Sequence, residues 1–147
     1  GVDYCGYASD FGTTWLVGDR PRPNREQLRQ YERWKQVVAA TLAVTHAGAT
    51  ASELTAAAIE ANEGRVPWLE QFYLIHGIGI ASAEMPLIGS NLGPDFDANI
   101  TLATGMVMVL EPVIWQEGHA GYRFEEIVAV TEDGYLPLSN YPNTPFP

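Results

Sequence analysis

Residues 74–86, LIHGIGIASAEMP, set one histidine between an apolar run and two glycines, then close on an acid and a proline. Leu74 and Ile75 suit an extended backbone, and Gly77 and Gly79 recur too closely for a helix interior, so the stretch reads as a glycine-broken strand. His76 is then a lone imidazole on an apolar strand. Such a group is either a core residue satisfied by the backbone or a ligand or base.

Working outward from this strand, the upstream pattern is helical. Asn24 with Gln27, and Thr50 with Glu53, each place a capping oxygen three residues before a side chain that can reach back to it. The first pair opens an amphipathic helix with Leu28, Tyr31, Trp34 or Lys35, Val38, Thr41 or Leu42 and Thr45 at helical spacing, arginines outside, ending at Gly48. The second opens SELTAAAIEANE, which Gly64 ends. Before them, VDYCGYASDFGTTWLVG is rich in aromatic and β-branched residues and predicts two strands joined around Ser9 and Asp10. Downstream of Pro67, FYLIHGIGIAS, GMVMVLEPVIW and YRFEEIVAVTEDGYLPL predict strands, the last a hairpin about its EDG turn. LSNYPNTPFP, with three prolines, predicts a tail. Strands, two helices, then strands imply an α+β unit in which two helices cover one face of a curved, mostly antiparallel sheet.

With 147 residues, 46% hydrophobic and 18% charged, the chain suits one globular domain. No run of eighteen apolar residues and no leader-like start is present, so neither a membrane span nor a secretory signal is expected. The lone Cys5 forms no internal disulfide and fits a cytoplasmic location. Six of the eight basic residues fall between Arg20 and Lys35, leaving Arg65 and Arg123 for the rest of a chain of net charge -10. Nucleic acid is disfavoured by that balance, whereas a divalent cation suits it.

Asp10, His76, Glu111 and Glu125 each interrupt an apolar strand. A carboxylate on a sheet's buried face costs several kcal/mol unless paired or metal-bound. Any one of them could point outward to solvent; four in different strands are harder to place that way. Three carboxylates and an imidazole form a hard donor set suited to Mn, Co, Fe or Zn. Glu126 adjoins Glu125, and strand alternation sends the two to opposite faces, so Glu126 should point away from a shared site.

Four segments carry a family resemblance: GYASDFGTTW to G-Y-x-S-D-x-T-R-T-F, HGIGIASAEMP to H-G-x-G-x-x-x-H-E-x-P, GMVMVLEP to G-M-V-x-x-x-E-P, and GYRFEEIVAVTEDG to G-x-R-x-E-D-x-x-x-V-T-x-D-G. In order and register they resemble the pita-bread metallohydrolases: methionine aminopeptidase, Xaa-Pro aminopeptidase, prolidase and creatinase. The resemblance implies a partial pita-bread fold with residues 1–147 as the C-terminal portion of the catalytic domain, the family's first metal-binding aspartate falling upstream of Gly1. It implies that Asp10 and Glu125 bridge two divalent metal ions in the intact parent, that His76 and Glu111 bind one of them, and that Glu111 and His76 serve catalysis, Glu111 by shuttling a proton. A small peptide or small amide or carboxylate would be the substrate, the parent would be a homodimer, and this chain alone would be inactive, with no metal or a single ion bound.

Two departures concern the substrate. Ala83 stands where the peptidases place a second histidine, and Thr13 where they often carry arginine. Ala83 therefore keeps open a non-peptidase member of the family, a creatinase-like C–N hydrolase or a carboxylate lyase, and a catalytically silent binding module is the third alternative. His119, in a glycine-flanked turn, is a candidate substrate contact; Asp95 and Asp97, in the long segment between His76 and Glu111, are expected to be solvated turn residues.

Overall fold

The computed structural model describes every residue except Arg20, Pro21, His119, Asn143, Phe146 and Pro147. A short hairpin of β1 (Asp3–Tyr4) and β2 (Tyr7–Ala8) leads to helices α1 (Arg25–Ala43) and α2 (Ala51–Ala61). There follow β3 (Ile75–Gly77), β4 (Glu84–Ile88), the single turn α3 (Pro94–Asp97), β5 (Val107–Leu110), β6 (Val113–Gln116), β7 (Ala120–Arg123), β8 (Glu126–Val130) and β9 (Tyr135–Pro137). Five strands form one antiparallel sheet in the order β4-β3-β5-β8-β9, with β6 and β7 a separate ribbon. The helices cover one sheet face, as the element order implied.

Both capping boxes form. Asn24 Oδ1 accepts from Gln27 N at 2.9 Å while Gln27 Oε1 accepts from Asn24 N at 2.8 Å, and Thr50 and Glu53 repeat the exchange. α1 stops at Ala43 instead of reaching Gly48. There the Thr45 hydroxyl donates back to Thr41 O, and the next amides leave for tertiary partners, Ala47 N to Thr131 O and Gly48 N to Leu102 O. Its buried stripe is Gln30, Trp34, Val37, Val38 and Thr41; Leu28 is exposed, because the stripe sits slightly off the predicted one.

The first hairpin also differs from expectation. It turns at Cys5 and Gly6, both at positive φ (53° and 83°), the pairing that a two-residue hairpin requires, and Asp3 Oδ1 accepts from Gly6 N. Ser9 and Asp10 lie beyond the hairpin, and the Ala8 N–H bonds to Gly79 O at 2.8 Å, which ties Asp10 to the end of β3. β4 is a further departure: EMPLI, with its internal proline, forms the sheet's edge strand, where a missing N–H is tolerated.

Alternation of side chains divides the sheet. Ile75, Met108, Leu110, Phe124, Val128 and Val130 join Trp34, Val37, Leu54 and Ala58 in one core. The residues between them, His76, Val109, Glu111, Arg123 and Glu125, fall on the other face by the same period of two. Glu126 shares the parity of the core residues and reaches Ser139 Oγ, away from the other acids.

Asp97 is no solvated turn residue, although Asp95 is exposed. It is buried, and both its carboxylate oxygens accept from the Gly89 N–H, at 3.2 and 3.3 Å, joining the end of β4 to α3. Burial raises its pKa, the Gly89 bond opposing the shift. The folded chain therefore holds this proton more tightly than the unfolded one. That contribution to stability is complete below the unfolded pKa and is lost as pH rises through the higher folded value. Asp97→Asn, which keeps an acceptor but not the charge, is expected to flatten this fall, measured as urea midpoints at about pH 4 and about pH 7.

Candidate metal centre

The four residues expected to cluster do so on the sheet face opposite the helices. His76 comes from the middle of β3, beside Val109 of β5. Glu111 follows β5, and its N–H bonds to Leu74 O at 2.9 Å, so the chain stays in register one residue past the strand. Glu125 sits in the break between β7 and β8, its N–H donating to Gly12 O at 3.0 Å, which also brings the segment carrying Asp10 over the sheet. A Cβ at Gly12 would lie 2.7 Å from Glu125 Oε1, so a larger residue here would displace that carboxylate. Gly77 is the more constrained, since a Cβ there would meet the backbone oxygen of Met85 at 2.4 Å across the β3–β4 pair.

His76, Glu111 and Glu125 are each 1% exposed. His76 Nδ1 lies 2.8 Å from Gly77 O and donates to it, so in that tautomer Nε2 presents its lone pair. What Nε2 faces is Glu111 Oε1 at 3.4 Å and Asp10 Oδ2 at 3.8 Å. Arg123, which sequence reasoning passed over, completes the arrangement. Its Nε donates to Glu111 Oε2 at 2.8 Å, and its terminal nitrogen bridges Glu111 and Glu125. The spacing signals it, because Arg123 and Glu125 are two residues apart and share a face. Thr14 locks that strand by exchanging hydrogen bonds with Arg123 O and N at 2.8 and 3.1 Å. Phe72 and Tyr73 were also missed: the guanidinium lies 5.2 Å from the Phe72 ring, and the Tyr73 ring meets His76 edge-on at 5.0 Å.

Burial pushes the Glu111 carboxyl up to about 7 against the pull of Arg123, with Glu125 and Asp10 adding repulsion. Glu125 is raised for the same leading reason. Crowding carboxylates on a dry face thus makes each harder to ionise, and one guanidinium relieves the strain only in part. Its bonds take Glu111 Oε2 and Glu125 Oε1. Glu125 Oε2 remains buried with no hydrogen-bond partner, as does Thr13 Oγ1. Among the described residues, no group of three or more His, Cys, Asp or Glu side chains is arranged so that it could hold a metal ion. The donor chemistry nonetheless fits a hard cation: a backbone-oriented imidazole, an orphaned buried carboxylate oxygen, and two more carboxylate oxygens facing the imidazole lone pair.

Ala83 is exposed and immediately precedes Glu84, the strand partner of Gly77. His119 lies outside the described residues.

Over 143 residues the chain is 32% identical to the probable dipeptidase PepE of Mycobacterium tuberculosis, covering 94% of this chain and 35% of that protein. It is 33% identical to the Xaa-Pro dipeptidase of Lactobacillus delbrueckii subsp. lactis, covering 95% and 36%. The crystal structure of dipeptidase PepE from Mycobacterium ulcerans superposes with a TM-score of 0.80 at 30% identity, covering 99% of this chain and 37% of that one. An agropine synthesis cyclase of Rhizobium rhizogenes, at 31% identity, and a dimethylsulfoniopropionate lyase of Roseobacter denitrificans, at 26%, are relatives too. The chain therefore spans about a third of the length of the relatives it matches. The family model described as metallopeptidase family M24 matches residues 1–132, which takes in the hairpin, both long helices and all four clustered ligand candidates; this chain belongs to the M24 metallopeptidase family.

Proposed function

We propose that residues 1–147 supply four ligands, Asp10, His76, Glu111 and Glu125, to the dinuclear metal centre of a hydrolase of the Xaa-Pro dipeptidase or aminopeptidase type. One observation carries the proposal: with Nδ1 held by Gly77 O, His76 Nε2 faces two carboxylate oxygens, Glu111 Oε1 at 3.4 Å and Asp10 Oδ2 at 3.8 Å, a convergence of donor atoms that a cation would join. Bound divalent cations would supply Lewis acidity, making a water nucleophilic at neutral pH and polarising the scissile carbonyl. This chain's residues position and neutralise. His76 is held in one tautomer by Gly77, Arg123 restrains one oxygen of each glutamate, and Glu111 passes a proton to the departing amine. The substrate is a small peptide ending in proline, consistent with what the Lactobacillus relative is named for.

Titration of the 147-residue chain with Mn2+ by calorimetry tests the ligand set. One ion per chain and not two is expected, and His76→Ala is expected to weaken binding at least tenfold, the least that loss of support around a metal ligand costs. Equal binding by the variant would refute the assignment. For activity, residues 1–147 can replace the matching third of the Lactobacillus Xaa-Pro dipeptidase, with Gly-Pro hydrolysis as readout and Glu111→Ala as the inactive control.

A second chemistry is favoured by Ala83. No imidazole besides His76 stands at the cluster among the described residues, and a cyclase and a lyase are among the relatives. Gly-Pro turnover by the chimera decides against it.

A further inference from the structure

Tyr73 has no part in the ligand set, yet its position is hard to explain as packing alone. Its ring stacks on Phe72 at 4.7 Å and 17°, and Phe72 in turn lies under the Arg123 guanidinium. Its edge contact with His76 fixes the ring at the border of the carboxylate cluster. The side chain is half-buried, and its phenol lies within electrostatic reach of Glu111, Asp10, Glu125 and Arg123. Among the described residues, no protein group accepts a hydrogen bond from its hydroxyl.

The surroundings make an O–H donor at this place unusual. Three carboxyl groups line the face, and when ionised they only accept. Arg123 is already committed to Glu111 and Glu125, and His76 Nδ1 to Gly77 O. Apart from a bound cation, a substrate oxygen entering the ionised cluster therefore meets acceptors on nearly every side. A lone pair that the cation does not take needs a donor that is not spent on the protein itself, because an oxygen desolvated without one costs about 1–3 kcal/mol.

We propose that the Tyr73 hydroxyl is a substrate contact that determines specificity, donating a hydrogen bond to a carbonyl or carboxylate oxygen of a small substrate held over His76 and Glu111. The stacked pair Phe72–Tyr73 is the apolar wall along which the rest of the substrate lies. The assignment rests on the cluster being the hydrolytic centre proposed above.

The test uses the 147-residue chain and its Tyr73→Phe variant, which keeps both ring contacts and loses only the hydroxyl. Each is titrated with Mn2+ and then, in saturating Mn2+, with glycyl-L-proline and glycyl-L-prolinamide. Equal Mn2+ affinity and equal melting temperature are expected, with binding of glycyl-L-proline about three- to tenfold weaker in the variant, the worth of one hydrogen bond. A matching loss with the amide assigns the contact to the carbonyl, and a loss confined to the acid assigns it to the carboxylate. Equal affinity of both proteins for both dipeptides overturns the proposal while leaving the metal centre intact, as does failure of the Mn2+-loaded wild-type chain to bind either. Failure of the wild-type chain to bind Mn2+ overturns the metal centre and this contact together.

Discussion

Phe124→Ala is expected to lower the stability of the chain by about 3–5 kcal/mol, the range for losing a fully buried aromatic ring. Phe124 is completely buried and makes edge contacts with Trp34 of α1 at 5.4 Å and with Phe11 at 5.3 Å. It thus joins the helix layer to the segment that carries Asp10. Removing the ring opens a cavity that two other aromatic rings cannot collapse into, since Trp34 is itself held by Tyr122. Against a total stability of about 5–15 kcal/mol, much of the folded population is at stake. Urea unfolding measures it, with Phe124→Leu as the milder companion expected to lose less than half as much. A loss under about 1 kcal/mol would mean that the core is not continuous from helix to site. Because Arg123 and Glu125 flank Phe124, the same change loosens the cluster.

Arg123→Met is the second large effect and differs in its pH dependence. Methionine keeps an apolar stem over Phe72 but leaves Glu111 and Glu125, both buried, without their shared counter-charge. Stranding a buried charge costs about 3–5 kcal/mol in a closed interior, and the 41% exposure of the arginine side chain brings the expectation to about 2–3 kcal/mol near neutral pH. The sign follows from the direction of the shifts. Glu111 already titrates near 7 with the guanidinium present, so without it both carboxyls bind protons still more readily in the folded state. The penalty is therefore absent where both are protonated, below the ordinary carboxylate range, and grows as pH rises through about 7 and beyond. Urea midpoints of wild type and variant should converge at about pH 4 and separate at about pH 8. A gap independent of pH would show that Arg123 acts through packing. Metal added at the higher pH should narrow the gap, because a cation replaces the missing charge.

Local chemistry is what the sequence determined by itself. A capping box is a contact between residues three apart, so Asn24–Gln27 and Thr50–Glu53 were legible before any fold was known. Strand alternation is equally local. It placed Glu125 and Glu126 on opposite faces, and once strands are granted it puts His76, Glu111 and Glu125 on a face distinct from that of Ile75, Leu110 and Phe124. Where the helix stopped, and where the first hairpin turned, could not be read this way. α1 closes with the Val44 and Thr45 amides on Thr41 and Leu42 O, and the Thr131 and Leu102 carbonyls, distant in sequence, claim the Ala47 and Gly48 amides beyond it. β4 was hidden because a proline argues against a strand unless that strand lies at an edge, and edge position is a property of the whole sheet. Asp97 read as a solvated turn residue because the partner of its carboxylate, the Gly89 amide, is brought to it only by the turn after β4. At the site, the sequence named the acids and the imidazole. Only the tertiary structure showed Arg123 spanning two of them, because a guanidinium's choice among several carboxylates depends on distances that arise when β5 and the β7–β8 segment are brought together.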